Sequence, residues 1–227
     1  MISAGDVQVA WFELDVGDWS GAESVLDDAE RARAERFRHE RDRDRFVRSH
    51  AALRRELAHV LGRNPATLAF TEGPHGRPEL SDGALRFSLS HAGGLALIGI
   101  AKNTVGVDVE AIRPGTHFDV VRFFSSREQA TLAGLPEHER CAAFFRAWVR
   151  KEAYLKARGV GLQAPLHAFD VSLEPHAPAQ LLATRPDASE AARWTLAELR
   201  APLGFIAALA HEGPLRTMNV AEMSRAG

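Results

Sequence analysis

Val105-Gly106-Val107-Asp108-Val109-Glu110 alternates a branched apolar residue with Gly, Asp and Glu. Successive side chains of a strand point to opposite faces. The run is therefore expected to turn its valines into a core and to hold Gly106, Asp108 and Glu110 on the other face. Two carboxylates on one rigid face, with a glycine leaving room beside them, can hold a hard cation such as Mg²⁺, which takes oxygen ligands from carboxylates and substrate phosphates. The same pattern also fits a plain solvated strand face. Downstream, Trp148-Val149-Arg150-Lys151-Glu152-Ala153-Tyr154-Leu155-Lys156 falls in a predicted helix, Glu139 to Arg158, closed by Gly159 and Gly161. Residues four apart share a helix face, which aligns Trp148, Glu152 and Lys156. That set reads either as an acid–base pair with a metal ligand, or as an ordinary helix salt bridge beside a core tryptophan.

Working outward, the alternating strand is predicted over Thr104 to Ile112, with Pro114-Gly115 breaking it. Leu85 to Leu89 and Leu95 to Ala101 read as strands joined by Gly93-Gly94, and Val7 to Leu14 as another. Asp27 to Leu61 lacks Gly and Pro and predicts one helix with a sparse apolar face of Phe37, Phe46, Leu53, Leu57 and Val60, ended by Asn64-Pro65. Gly73-Pro74 and Gly76-Arg77-Pro78 mark turns. Ser126 to Leu135 predicts a short helix. Strands are expected at Phe169 to Leu173, Trp194 to Leu199 and Phe205 to His211, and an exposed loop over Ala177 to Ala192. A helix followed by a strand pair occurs in each half, which permits two related α+β subdomains with a cleft between them.

Composition excludes several classes. The chain has 227 residues, 45% hydrophobic and 26% charged, as ordinary globular proteins do. A net charge of -2 argues against a free-standing nucleic-acid binder. Arginines between Arg31 and Arg55 are interleaved with acids, which points to a solvated, ion-paired face. Cys141 is the single cysteine, so no intrachain disulfide or cysteine metal site is available, and a reducing, cytoplasmic setting is expected. Met1 to Trp19 holds Asp6, Glu13, Asp15 and Asp18 and no base, unlike a signal peptide. No apolar run is long enough to span a membrane.

Two further segments carry chemistry. Ser88-Leu89-Ser90-His91 sits at a strand end before the Gly93-Gly94 turn, where a histidine can donate to a phosphate oxygen or serve structure alone. Gly76-Arg77-Pro78 presents an arginine, whose fork suits phosphate, or is a surface turn.

In this order and spacing, Gly-Arg-Pro, Ser-Leu-Ser-His, Val-Gly-Val-Asp-Val-Glu, Phe-Phe-Ser-Ser-Arg-Glu (Phe123 to Glu128) and Trp-Val-Arg-Lys-Glu-Ala-Tyr-Leu-Lys with Gly159-Val160-Gly161-Leu162 resemble the 4′-phosphopantetheinyl transferase superfamily. Length and doubled pattern are similar to its surfactin-synthetase-activating, two-halved type. The likeness runs by motif from about Arg31 to Leu162. Departures are Ser88, where the family often has Asn, and Arg77, where it often has Lys. Glu30 also stands at a position basic in some members, with Arg33 the better candidate at the next.

The resemblance implies an α+β fold of two similar subdomains, each an antiparallel sheet packed with a long helix, related by a pseudo-twofold axis. The halves would be 1–103 and 104–227, with the active site at their interface. It implies a holo-[acyl-carrier-protein] synthase activity: Mg²⁺-dependent transfer of 4′-phosphopantetheine from coenzyme A to a serine of an apo acyl or peptidyl carrier protein. Asp108, Glu110 and Glu152 match the metal-binding acids. Glu152 is the expected general base and Lys156 the group at the leaving phosphate. Ser90 and His91 match phosphate contacts. Arg77 is expected on the coenzyme A 3′-phosphate, with Arg45 as helper. The partners would be carrier proteins of fatty acid, polyketide or nonribosomal peptide synthesis, met partly by the apolar stretch Phe118 to Phe124. The protein would be a cytoplasmic monomer with no nucleic-acid or membrane partner. Two alternatives remain at this point: a metal-dependent phosphodiesterase, and a non-catalytic module binding coenzyme A or a carrier.

Overall fold

The computed structural model describes residues 2–73, 76–113, 119–161 and 164–221. In chain order the N-terminal elements are β1 (Asp6–Glu13), α1 (Asp28–Ala34), α2 (Glu40–Leu61), β2 (Phe70–Glu72), β3 (Pro78–Leu80), β4 (Arg86–Ala92) and β5 (Leu95–Ala101). There follow β6 (Val105–Ala111), α3 (Ser126–Gly134), α4 (Glu137–Arg158), β7 (Phe169–Val171), β8 (Leu181–Thr184), β9 (Trp194–Leu199), β10 (Phe205–Glu212) and β11 (Thr217–Val220).

These α+β elements stack as helix, sheet, sheet, helix. The first sheet has the order β11-β1-β5-β4 and the second β6-β10-β9. Alternation distributes the side chains among the layers. From β1 and β5, Ala10, Phe12, Ala96, Ile98 and Ile100 pack on Leu53 and Leu57 of α2. The alternate residues Val7, Val9, Trp11, Leu95 and Leu97 meet Val105, Val107, Val109, Ala207 and Leu209 of the second sheet. The other face of that sheet, with Ala208 and Ala210, packs under Ala153 and Ala157 of α4. β5 is covered on both faces, which is why Leu95 to Ala101 carries no polar side chain.

Two glycines set the layer spacing. A Cβ on Gly99 would lie 2.6 Å from Val107 Cγ1, so its absence lets the sheets close. A Cβ on Gly106 would lie 2.1 Å from the Ala153 carbonyl oxygen and 2.4 Å from the Ala157 nitrogen. The room expected beside Asp108 is therefore filled by the α4 backbone, and the acid-bearing face of β6 is covered by a helix where a solvated face was the alternative.

Several expectations are corrected. The helix predicted over Asp27 to Leu61 is two helices. Asp27 caps α1 with Glu30 in a capping box, and α2 restarts after His39. Buried Arg54 holds the two together, donating to Asp27 (2.5 Å), Glu30 (2.6 Å) and the carbonyl of Leu68 (2.9 Å). The Ala177–Ala192 stretch contains β8, paired antiparallel with β7, because Leu181 has core to fill. The last strand, β11, crosses back to pair in parallel with β1, so the first sheet draws on both ends of the chain. Pro74, Pro114-Gly115 and Leu162, read as turn or motif residues, and Phe118, read as carrier contact, lie outside the described residues. Among the described residues no helix is long and apolar enough to cross a membrane.

Candidate active site

β4 and β6 are neighbours at the seam between the two sheets but belong to different ladders. Serine hydroxyls replace the missing strand pairing: Ser88 Oγ accepts from the Val107 amide (3.1 Å) and Ser90 Oγ from the Val109 amide (3.3 Å). This brings Ser90 beside Asp108. α4, seated on Gly106, brings Lys156 and Glu152 to the same point.

The centre is a closed hydrogen-bond triangle. Ser90 donates to Asp108 Oδ1 at 2.8 Å, and Lys156 Nζ donates to Asp108 Oδ1 at 2.7 Å and to Ser90 Oγ at 2.8 Å. Asp108 is 3% exposed. The helix salt bridge weighed for Glu152 and Lys156 is thus not what forms, since the lysine reaches across to the strand. Asp108 Oδ2 and Glu152 Oε1 are buried without a hydrogen-bond partner. Trp148 lies beside Glu110 and favours its charged form. Leu89, Ser90, His91, Asp108, Val109, Glu110, Trp148, Glu152 and Lys156 line a single cavity of about 260 Å³.

Electrostatics follow from this crowding. Burial, then the Asp108 charge, pushes Glu152 up to about 7, with Lys156 opposing and Glu110 adding to the rise. Burial raises Asp108, against the pull of Lys156. Glu110 is also raised, by burial and by Asp108. Desolvation and the charges of Lys156, Arg45 and Arg33 pull His91 down, although its ring is open to solvent. Asp108 thus suppresses the ionisation of both Glu110 and Glu152 beside two bare oxygens. Among the described residues no three such donors stand close enough to grip a cation without adjustment. Even so, bare, mutually repelling carboxylate oxygens are the donor chemistry a hard divalent cation takes.

Of the residues picked out in the sequence, Ser90, His91, Asp108, Glu110, Glu152 and Lys156 meet in this cavity. Arg45 stands apart, bonded through Nε to Asp15 (2.8 Å) near the β4–β5 turn, where its charge still reaches His91. Arg77 departs from expectation. Its Nη1 donates to the carbonyls of Lys156 (2.9 Å) and Ala157 (2.5 Å), and its Nη2 to those of Phe87 (2.8 Å) and Val105 (2.9 Å). These bonds occupy both Nη groups, which a phosphate would otherwise engage. Helix spacing aligns Trp148 with the acids, but no local signal marks its place beside Glu110. Nothing in the local sequence of Ser88 reveals that its hydroxyl joins two sheets.

The 4′-phosphopantetheinyl transferase superfamily model matches residues 104–209, from β6 through most of β10. The 4′-phosphopantetheinyl transferase HetI of Nostoc sp. is 36% identical over 197 residues, covering 84% of this chain and 80% of its own. Protein slr0495 of Synechocystis sp. is 36% identical over 182 residues, 78% of this chain and 72% of its own. The 4′-phosphopantetheinyl transferase Sfp of Bacillus subtilis is 27% identical over 165 residues, 72% of this chain and 73% of its own. A likeness to HetI that spans 80% or more of both sequences reaches well beyond the site motifs, and the chain belongs to the 4′-phosphopantetheinyl transferase superfamily.

Proposed function

We propose that this enzyme transfers the 4′-phosphopantetheine moiety of coenzyme A to a serine of an apo acyl or peptidyl carrier protein, in the cavity between β4, β6 and α4. Asp108, Glu110 and Glu152 would hold Mg²⁺, which when bound supplies positive charge against the pyrophosphate. Glu152, half-buried at the cavity wall between Asp108 and Lys156, takes the proton of the carrier serine, directly or through water. The serine oxygen forms its bond to the phosphorus of the pantetheine phosphate as the bond to 3′,5′-ADP breaks. Lys156, fixed by Asp108 and Ser90, meets the charge on the leaving phosphate, and His91 and Ser90 orient the pyrophosphate. Positioning and fixed charge supply most of the acceleration, as in phosphoryl transfer generally.

The carrying observation is the pair of bare, buried oxygens on Asp108 and Glu152 beside a lysine anchored by a third group. The reading extends to a monomer of two similar halves, 1–103 and 104–227, with β11 of the second returned to the sheet of the first, related by a pseudo-twofold axis and acting in the cytoplasm without nucleic-acid or membrane partners. Arg45 is the basic helper toward coenzyme A. Exposed Phe123 is a docking point for carrier proteins of fatty acid, polyketide or nonribosomal peptide synthesis. Incubating the protein with coenzyme A, Mg²⁺ and an apo carrier should add one phosphopantetheine to the carrier's intact mass. Chelation or Asp108→Ala should abolish the gain. Coenzyme A cleavage without carrier modification would overturn the assignment in favour of a phosphodiesterase, and binding without turnover in favour of a binding module.

A further inference from the structure

An α-helix leaves the carbonyls of its last turn without intrahelical partners, and a cation there is favoured by the helix dipole. In α4 the last turn carries Lys156. Its carbonyl and that of Ala157 receive Arg77, a residue lying 79 and 80 positions earlier in the chain. The same guanidinium holds Phe87 of β4 and Val105 of β6. Those strands lie in different sheets, and they are the strands that carry Ser90 and Asp108. Among the described residues Arg77 has no carboxylate ion-pair partner, so its bonding is directed entirely at the backbone of the three elements that build the site.

We infer that Arg77 is a positioning residue: by tying the last turn of α4 to the β4–β6 seam it sets Lys156 against Asp108 and Ser90. A rigid planar fork does this where a lysine, with one ammonium, reaches only part of the same set. The consequence for coenzyme A is specific. The 3′-phosphate does not depend on Arg77, and the loss on substitution is a loss of turnover.

The kinetic half of the test rests on the transferase reading, and the exchange half does not. Arg77→Lys is made first because it keeps the charge and much of the volume; Arg77→Ala follows. Amide hydrogen exchange at Tyr154 to Gly159 should accelerate ~10-fold or more, with the middle of α2 unchanged, as local opening of one helix end requires. In the carrier assay kcat should fall ~10-fold or more while KM changes little, the pattern of a group whose loss is felt in the transition state. Coenzyme A and dephospho-coenzyme A should lose equally. In a Lys156→Ala background Arg77→Lys should cost little further, because residues that act through one another are not additive.

Unchanged exchange in the last turn of α4 overturns the inference, as does altered exchange with undiminished kcat. A loss confined to coenzyme A and spared with dephospho-coenzyme A makes Arg77 a phosphate ligand instead. If the wild type transfers nothing to any carrier, the transferase reading fails, and the exchange result alone still decides whether Arg77 fixes the helix end.

Discussion

Glu152 concentrates the chemistry of the site in one side chain. A carboxyl buried beside Asp108 and Glu110 resists ionising, because each charge would face low dielectric and like neighbours. Its pKa of about 7 lies above the ordinary 4.5. A group raised in this way contributes stability that is full below about 4.5 and is lost as pH rises through about 7. The metal-free wild type is therefore expected to lose melting temperature between about pH 5 and 8 more steeply than Glu152→Gln does. Parallel melting curves for the two would mean that the carboxyl is not held as the structure has it. Glu152→Gln should meanwhile lower transfer by about 100-fold or more, the contribution typical of a positioned general base, while circular dichroism stays that of the wild type. Near-normal transfer by this variant would remove Glu152 from catalysis.

Among elements, the contact of α4 with β6 governs the site. Helix and strand backbones touch at Gly106 because no Cβ intervenes. Asp108 and Glu110 follow two and four residues on along the strand, and Glu152 and Lys156 flank Ala153 on the helix. Gly106→Ala must push α4 outward, since the obstructing atoms are helix backbone. It should cost about 1–3 kcal/mol or more, the range for overpacked cores, measured by urea denaturation. It should also separate Lys156 from Asp108, so that activity stays low even at temperatures where the variant is folded. A variant that loses stability and keeps full activity when folded would show that the helix can ride outward without disturbing the acids. Gly99→Ala acts at the sheet–sheet contact instead, against the tip of Val107, and should cost stability with a smaller effect on turnover.

For the whole molecule, the cavity lies where two sheets meet, and its acids come from the second layer system while Ser90 and His91 come from the first. A cation bridging the acids would stabilise the folded protein by mass action. Excess Mg²⁺ should raise the melting temperature at about pH 8, where the carboxyls ionise, and much less at about pH 5, where Glu152 is protonated. Asp108→Ala should erase the difference. Calorimetry at the two pH values checks this, and an equal Mg²⁺ effect in wild type and variant would move the cation elsewhere.

Local periodicity carried much of this protein into its sequence. Alternation over Val105 to Glu110 announced a strand with its acids on one face. Spacing of four aligned Trp148, Glu152 and Lys156. Gly93-Gly94 marked the hairpin, and the order of the motifs pointed to the family. Such signals are legible because each depends on residues only a few positions apart. Other features depend on distant partners and left no local mark. Lys156 bonds Asp108, 48 positions away, and passes over Glu152, one helical turn away. Arg77 spends its fork on backbone carbonyls and not on an anion. β11 returns to β1, and α1 breaks from α2 around buried Arg54. In each case a side chain or strand satisfied a buried polar group or an open edge that exists only once the layers have packed, and that packing is set by contacts between the two ends and the two sheets of the chain.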